Sequence, residues 1–464
     1  MQRRSFSCFS RTSTTSQITR RLRARVLRGS AASAGLLGLM LLSTAAHAQE
    51  ADEELPPLPA PPKAAWYELL ELSAFVDAYA SVNYNFPKPA GGANATTRAY
   101  DTDTGFALAW AGVDASFPAD PVGGTLSLRW GPAADTYAGS EPGTLKQVKQ
   151  AFASWKPGGA DGSVTLDFGK FDTIYGAELA ESWLNFNYTR GAVYWFAQPA
   201  FHTGLRVGWE LSPEFTLRAL AVNGWNNTVD GNTGKSFGAQ AAWTPSDSFG
   251  LTVGWLGGPE QADVLDIDCA DDTAYDASAG GCASSPNTPA ASYRVDRGGA
   301  NDLEAWRHLI DAVVTWNPSD ALNFVVNVDY GWEGIRQSTS TSDTTKYTWL
   351  GAMAAGRYAF NATWGVALRG EYFKAYGEDE GDLPALSGDY YPFGVPDLAI
   401  GTGTLTIDFK PTDNLIIRLE NRGDFALDAH SSVSDDAKKI FPKKQRETAD
   451  SQITTTLGVV VTTN

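Results

Sequence analysis

Leu72, Ala74, Val76, Ala78, Ala80, Val82 and Tyr84 occupy alternate positions of one segment, with Ser73, Asp77, Tyr79, Ser81 and Asn83 between them. Successive side chains of a strand point to opposite faces, so this segment has one apolar face and one largely polar face. The same period of two recurs to the end of the chain, through Ile453, Leu457, Val459 and Val461.

The connectors between the alternating segments fall into two classes. Seven are short: Pro118–Gly123, Pro157–Gly162, Ser212–Glu214, Pro245–Ser248, Asn317–Ala321, Phe360–Ala362 and Pro411–Asn414. Eight are long or irregular: 86–105, 131–145, 172–200, 226–234, 258–305, 333–345, 374–397 and 426–445. They alternate strictly, long then short. A transmembrane β-barrel demands that asymmetry, with tight turns at one end and long external loops at the other. The predicted fold is all-β: a transmembrane antiparallel up-and-down barrel of about 16 strands over residues 72–464, both termini periplasmic. Strands of about 9–11 residues, tilted about 40°, cover the roughly 25 Å apolar band of an outer membrane.

The turns share a weak repeat: Trp243-Thr-Pro-Ser-Asp247, Trp316-Asn-Pro-Ser-Asp320 and Phe409-Lys-Pro-Thr-Asp413. Proline presets φ for a turn, and Ser or Asp closes it. Trp209, Phe215, Trp243, Phe249, Trp316, Tyr358, Trp364 and Phe409 would form a ring at headgroup level.

Composition changes the picture at the N-terminus. Residues 1–28 hold eight arginines and no acid, an apolar run follows from Ala31 to Ala46, and Ala46-His47-Ala48 is an A-x-A cleavage site. This order reads as a signal peptide over 1–48. A misassigned start, a twin-arginine leader at Arg3-Arg4 and an organelle transit peptide are competing explanations of the basic stretch. Residues 49–71 contain the proline-rich linker LPPLPAPP, expected in the periplasm. Removing 1–48 takes away eight arginines and no acid, which moves the net charge from −17 to −25. That excludes a general nucleic-acid binder. Cys8 leaves with the leader. Cys269 and Cys282 then suggest a disulfide within one external loop; a zinc site there would be under-liganded.

Parity places Arg129, Arg206, Arg218, Arg357, Arg369, Arg418 and Arg422 in the lumen, with Asp77, Asp114, Asp167, Glu210, Asp311, Asp329, Glu371, Asp408 and Glu420. An arginine at mid-depth on the lipid face would cost about 2–4 kcal/mol. A polar interior of both signs implies water, and sixteen strands leave room for a channel; cross-linking of a plugged lumen is the alternative. The connector 172–200 is aromatic and only moderately charged, so it is expected to fold inward as a constriction. Asp172, Glu178 and Glu181 would face the wall arginines across narrow water and set up a transverse field.

Gly169-Lys170-Phe171, Tyr175-Gly176-Ala177-Glu178, His202-Thr203-Gly204-Leu205-Arg206, Asn223-Gly224-Trp225 and Gly257-Gly258-Pro259-Glu260 resemble the OmpL-like β-barrel porin family of proteobacteria. The resemblance covers nearly the whole mature chain. It implies an outer-membrane porin that passes small hydrophilic solutes or ions by passive diffusion, with no cofactor. A substrate-selective channel for anions such as phosphate or sugar acids, held by the inner-wall arginines, is the second expectation. The chain departs from the pattern of such barrels in ending Val459–Asn464 rather than on an aromatic residue.

Enzymatic chemistry finds little support. The mature histidines are His202, His308 and His430, and no G-x-S-x-G, P-loop, Rossmann or zinc-protease pattern occurs. His202 is expected to line the pore rather than act as a base. Acidic runs at Asp263–Asp276 and Glu378–Glu380 suggest solvated loops bridged to lipopolysaccharide by divalent ions, or a Ca²⁺ site, and a vestibule favouring cations. The expected partners are outer-membrane lipid and lipopolysaccharide, the barrel assembly machinery and, as a trimer, further copies of the chain; a monomer is equally compatible.

Overall fold

The computed structural model describes residues 66–463, apart from 89–91, 95, 140, most of 262–302, and 337–343, 378–396, 430–433 and 437. The signal-peptide and linker expectations for 1–65, the Cys269 and Cys282 side chains, and the acidic runs at 269–274 and 378–380 lie outside the described residues. Trp66–Leu69 form a single 3-10 turn.

Sixteen strands close into one antiparallel barrel. In chain order they are β1 Glu71–Asn83, β2 Gly105–Phe117, β3 Val122–Trp130, β4 Val148–Trp155, β5 Val164–Asp172 and β6 Phe201–Ser212. β7 Phe215–Val222, β8 Ser236–Ser246, β9 Phe249–Gly258, β10 Arg307–Trp316 and β11 Leu322–Arg336 follow. β12 Thr344–Ala359, β13 Trp364–Gly377, β14 Ala399–Thr412, β15 Leu415–Ala426 and β16 Ser451–Thr462 complete the wall. β1 pairs with β2 on one side and with β16 on the other, from Phe75↔Thr462 to Asn83↔Thr454, so the barrel wall has no open edge.

Alternation sets which side each residue takes. On β1 Leu72, Val76 and Val82 are exposed on the outer wall, while Phe75, Asp77, Tyr79, Ser81 and Asn83 are buried inside. One set of outward aromatics lies at the short-turn end, where Trp209, Trp243, Trp316, Tyr358 and Trp364 are each about half exposed, and Phe106, Phe237 and Phe425 are exposed at the long-loop end. Rings of the short-turn set pair with neighbours, Trp364 with Phe409 at 4.5 Å and Trp316 with Phe324 at 5.3 Å between ring centres. Such rings suit a boundary that is apolar on one side and wet on the other.

Of the three tryptophan– or phenylalanine–proline repeats, Pro318 lies in the turn as expected, between β10 and β11, and the other two work differently. Pro245 and Pro411 lie inside the ends of β8 and β14, where the register slips between Trp243 and Ser246 and between Phe409 and Thr412. The turns proper are Asp247-Ser248 and Asp413-Asn414. Proline has no N–H to give to a ladder, so it fits a position where the ladder is already interrupted.

Candidate selectivity site inside the barrel

The chain leaves β5 at Asp172 and re-enters the wall at Phe201. Residues 173–200, called L3, turn into the lumen, and none of them is exposed. L3 carries only one turn of 3-10 helix, Ser182–Leu184, and one of α-helix, Ala192–Phe196. A buried irregular segment must find partners for its backbone N–H and C=O groups. Here the wall supplies them.

Asp311 on β10 accepts the N–H of Gly176 at 3.1 Å, and Asn327 on β11 accepts that of Ala177 at 3.0 Å. Glu371 on β13 accepts from Val193, and Glu420 on β15 accepts from Tyr188 at 2.6 Å and Thr189 at 3.2 Å. The carbonyls are capped by arginine. Arg418 donates to Ser182, Asn185 and Asn187 at 2.6–2.9 Å, Arg422 to Arg190 at 2.7 Å, and Arg369 to Thr189 at 2.5 Å. Three of the predicted inner-wall arginines thus hold loop backbone as well as balancing charge.

Charge pairing ties the loop further. Glu181 lies 2.8 Å from Arg129 on β3 and 3.1 Å from Lys149 on β4. Burial by itself raises a carboxyl, yet Lys149 and Arg129 together hold Glu181 down at about 2. Glu178 lies 2.6 Å from Arg369, which also serves Glu371 at 3.2 Å. Burial pushes Glu178 up, and this shared arginine offsets only part of the rise. Asp172, the last residue of β5 rather than part of the loop, pairs with Lys149 and accepts the Tyr137 hydroxyl at 2.7 Å. The expected transverse field across water is therefore not the arrangement found, because these acids touch their cations directly.

The remaining arginines are placed as follows. Arg206 pairs with Asp167 at 2.8 Å and lies over Phe171, Arg357 and Arg418 share Asp408 at 2.8 and 2.7 Å, and Arg422 holds Asp424 at 2.7 Å. Arg218 is half-buried and donates to Gln240 at 2.7 Å.

Aromatic packing fills the rest. The Trp183 ring sits 4.3 Å from Phe75, and the Tyr100 and Tyr194 hydroxyls bond at 2.7 Å. Gly458 on β16 lets Tyr188 lie against the wall; a Cβ there would fall 2.2 Å from the ring. Where L3 still meets open space it presents mostly partly exposed Ile174, Leu179, Trp183, Leu184 and Phe186.

His202 does not line water. It is fully buried, bonded to Gly224 O at 3.0 Å and Thr173 Oγ1 at 3.1 Å, and so pins the root of L3.

Sequence reasoning missed Lys149, because the register slips between Ser127 and Leu128 where β3 meets β4, and parity fails locally. It also missed Arg98, in the connector between β1 and β2, which is buried against Asp101 at 2.8 Å and Asp424 at 3.4 Å. That connector is mostly small and polar, and its buried aromatic, Tyr100, stands alone beside Ala99, too weak a signal to mark the segment as packed.

The fold is similar to several solved outer-membrane proteins. One is OmpT of Vibrio cholerae, 11% identical over 85% of this chain and 97% of that one, TM-score 0.48. Another is OprB of Pseudomonas putida, 14% identical over 85% and 94%, TM-score 0.48. A third is an anion-selective porin from Comamonas acidovorans, 10% identical over 85% and 99%, TM-score 0.46. No curated protein matches the sequence. Likeness at this level carries no argument about what passes through the barrel. Residues 69–462, all sixteen strands included, match the family described as "Putative beta-barrel porin-2, OmpL-like", and the chain belongs to that family.

Proposed function

We propose that L3 is the constriction of a passive diffusion channel for small hydrophilic solutes. That the protein is an outer-membrane porin follows from its family. The observation that carries the constriction is that 173–200 is held inside the closed barrel by Glu181–Arg129 and Glu178–Arg369, with no exposed residue along its length. Deleting 176–190 should raise single-channel conductance of the refolded mature protein in planar bilayers. Unchanged conductance in a heat-modifiable barrel would overturn the reading.

The finer points belong to the same proposal. The short turns and both termini face the periplasm and the long loops face outward, as loop asymmetry favours. Residues 1–48 are removed on export, Cys269 and Cys282 close one external loop, and the barrel assembly machinery inserts the chain beside lipopolysaccharide, as a monomer or trimer. The chain acts without enzymatic chemistry, consistent with burial of His202 beyond the reach of solutes.

A further inference from the structure

Six of the seven predicted inner-wall arginines are held by carboxylates at 2.6–2.8 Å. Arg218 is the exception. Among the described residues no carboxylate reaches it at ion-pair distance, and its bond is to the neutral Gln240 side chain at 2.7 Å.

Its surroundings are built to leave the guanidinium available. The residue facing Arg218 across β6 is Gly208, and a Cβ added there would meet no atom within 4 Å. The residue facing it across β8 is Gln240, whose amide nitrogen donates to the Ile174 carbonyl at the root of L3. Gln240 thus ties the free guanidinium to the level where the loop narrows the lumen. The other strong cation beside it, Arg206, is spent on Asp167. The nearest acid, the exposed Glu210 two residues along β6 from Gly208, attracts it only through space, so the half-buried guanidinium needs water or an anion at its N–H groups. A guanidinium offers two parallel N–H groups that match a carboxylate or phosphate.

We propose that Arg218, opening on the recess beside Gly208, is the selectivity-determining residue of the channel and draws small carboxylate- or phosphate-bearing solutes through the constriction. This rests on the porin reading. One guanidinium in water binds weakly, which is what conduction needs: attraction enough to enter and little enough to leave. The paired arginines contribute less field by comparison, because four of them each contact a carboxylate of their own and Arg357 and Arg418 share Asp408.

The test is reversal potential in a KCl gradient across planar bilayers containing the refolded mature protein, with block of the current by inorganic phosphate as a second readout. Arg218→Gln should lower the chloride-over-potassium permeability ratio about fivefold, the effect of one contact charge screened by water, and weaken phosphate block. Arg218→Lys should keep most of the ratio and lose phosphate block, since an ammonium lacks the paired donors. Gly208→Glu, placed where there is room, should reproduce the loss of anion preference with the arginine still present. Conducting Arg218→Gln and Gly208→Glu channels with the wild-type reversal potential would overturn the proposal. A folded wild-type barrel that conducts nothing would instead overturn the porin reading on which it rests.

Discussion

Glu181 of the inserted loop and Arg129 of β3 meet at 2.8 Å, both buried, at the point where L3 crosses from the wall of β13 toward that of β3. The contact makes loop insertion pH-dependent. With its pKa depressed from 4.5 to about 2, Glu181 contributes stability that is complete above the unfolded value and is lost as pH falls through about 2. At about 1.4 kcal/mol per unit, that is about 3 kcal/mol at neutral pH. Single-channel conductance should hold steady down to about pH 4 and step upward toward pH 2 as the loop loosens. Glu181→Gln should show the loosened conductance at neutral pH while the barrel stays heat-modifiable.

Gly458 and Tyr188 make a second, purely steric test. Tyr188 also donates its hydroxyl to Asp77 at 2.7 Å, so the ring is fixed from both ends. Gly458→Leu has no space for its side chain unless Tyr188 leaves the wall. The variant should close its barrel normally, because residue 458 keeps its ladder partners Arg418 and Tyr79. L3 should become accessible to protease near 188, and the conductance should rise.

The barrel was legible in the sequence because its signal is repetitive. Period-two alternation and the long–short order of connectors fix strand number, and each added strand tests the same rule. The inward turn of L3 was legible for a different reason: Trp183, Tyr188, Tyr194 and Trp195 are poor residues for a solvated loop. What the loop would do with its charges was not legible. Parity identifies which arginines face inward, but whether Arg418 faces water or caps the carbonyls of Ser182, Asn185 and Asn187 depends on where a chain segment more than two hundred residues earlier comes to rest. Lys149 was lost to one register slip, and Arg98 to a connector whose few aromatics, Phe86 and Tyr100, are diluted among small and polar residues.

Glu260, just beyond β9, ties its connector to the β7–β8 connector and to the start of β8 at the long-loop end. Its carboxylate accepts the Trp225 N–H at 2.8 Å and the Ser236 hydroxyl at 2.6 Å. Burial raises it to about 7, against the pull of nearby Arg307. For a carboxyl with a raised folded value the protonated form favours the packed state. Its contribution is therefore complete below about 4.5 and is lost as pH rises through about 7. Amide exchange at Trp225, in the loop between β7 and β8, should accelerate between pH 6 and 8 beyond the intrinsic chemical rate. Glu260→Gln, fixed in the neutral form, should abolish that excess; a wild-type excess that persists in it would place the titrating group elsewhere.

Leu368 and Arg369 are neighbours on β13 with opposite surroundings. Leu368 is 61% exposed on the outer wall beside Leu405, and Arg369 is 3% exposed inside between Glu178 and Glu371. Leu368→Arg would put a guanidinium into the apolar band near its middle, at a cost of about 2–4 kcal/mol. Arg369→Leu would strand two buried carboxylates, and breaking such a pair costs about 3–5 kcal/mol. The two losses should differ in kind. The first belongs to the lipid and should appear as a lower denaturant midpoint for folding into bilayers, with conductance unchanged in the channels that do fold. The second belongs to L3 and should appear as raised conductance and a destabilisation that shrinks at acid pH, where Glu178 takes up a proton. If Leu368→Arg left the midpoint unmoved, the outward assignment of β13 would be wrong by one residue, and every inward assignment on that strand would fall with it.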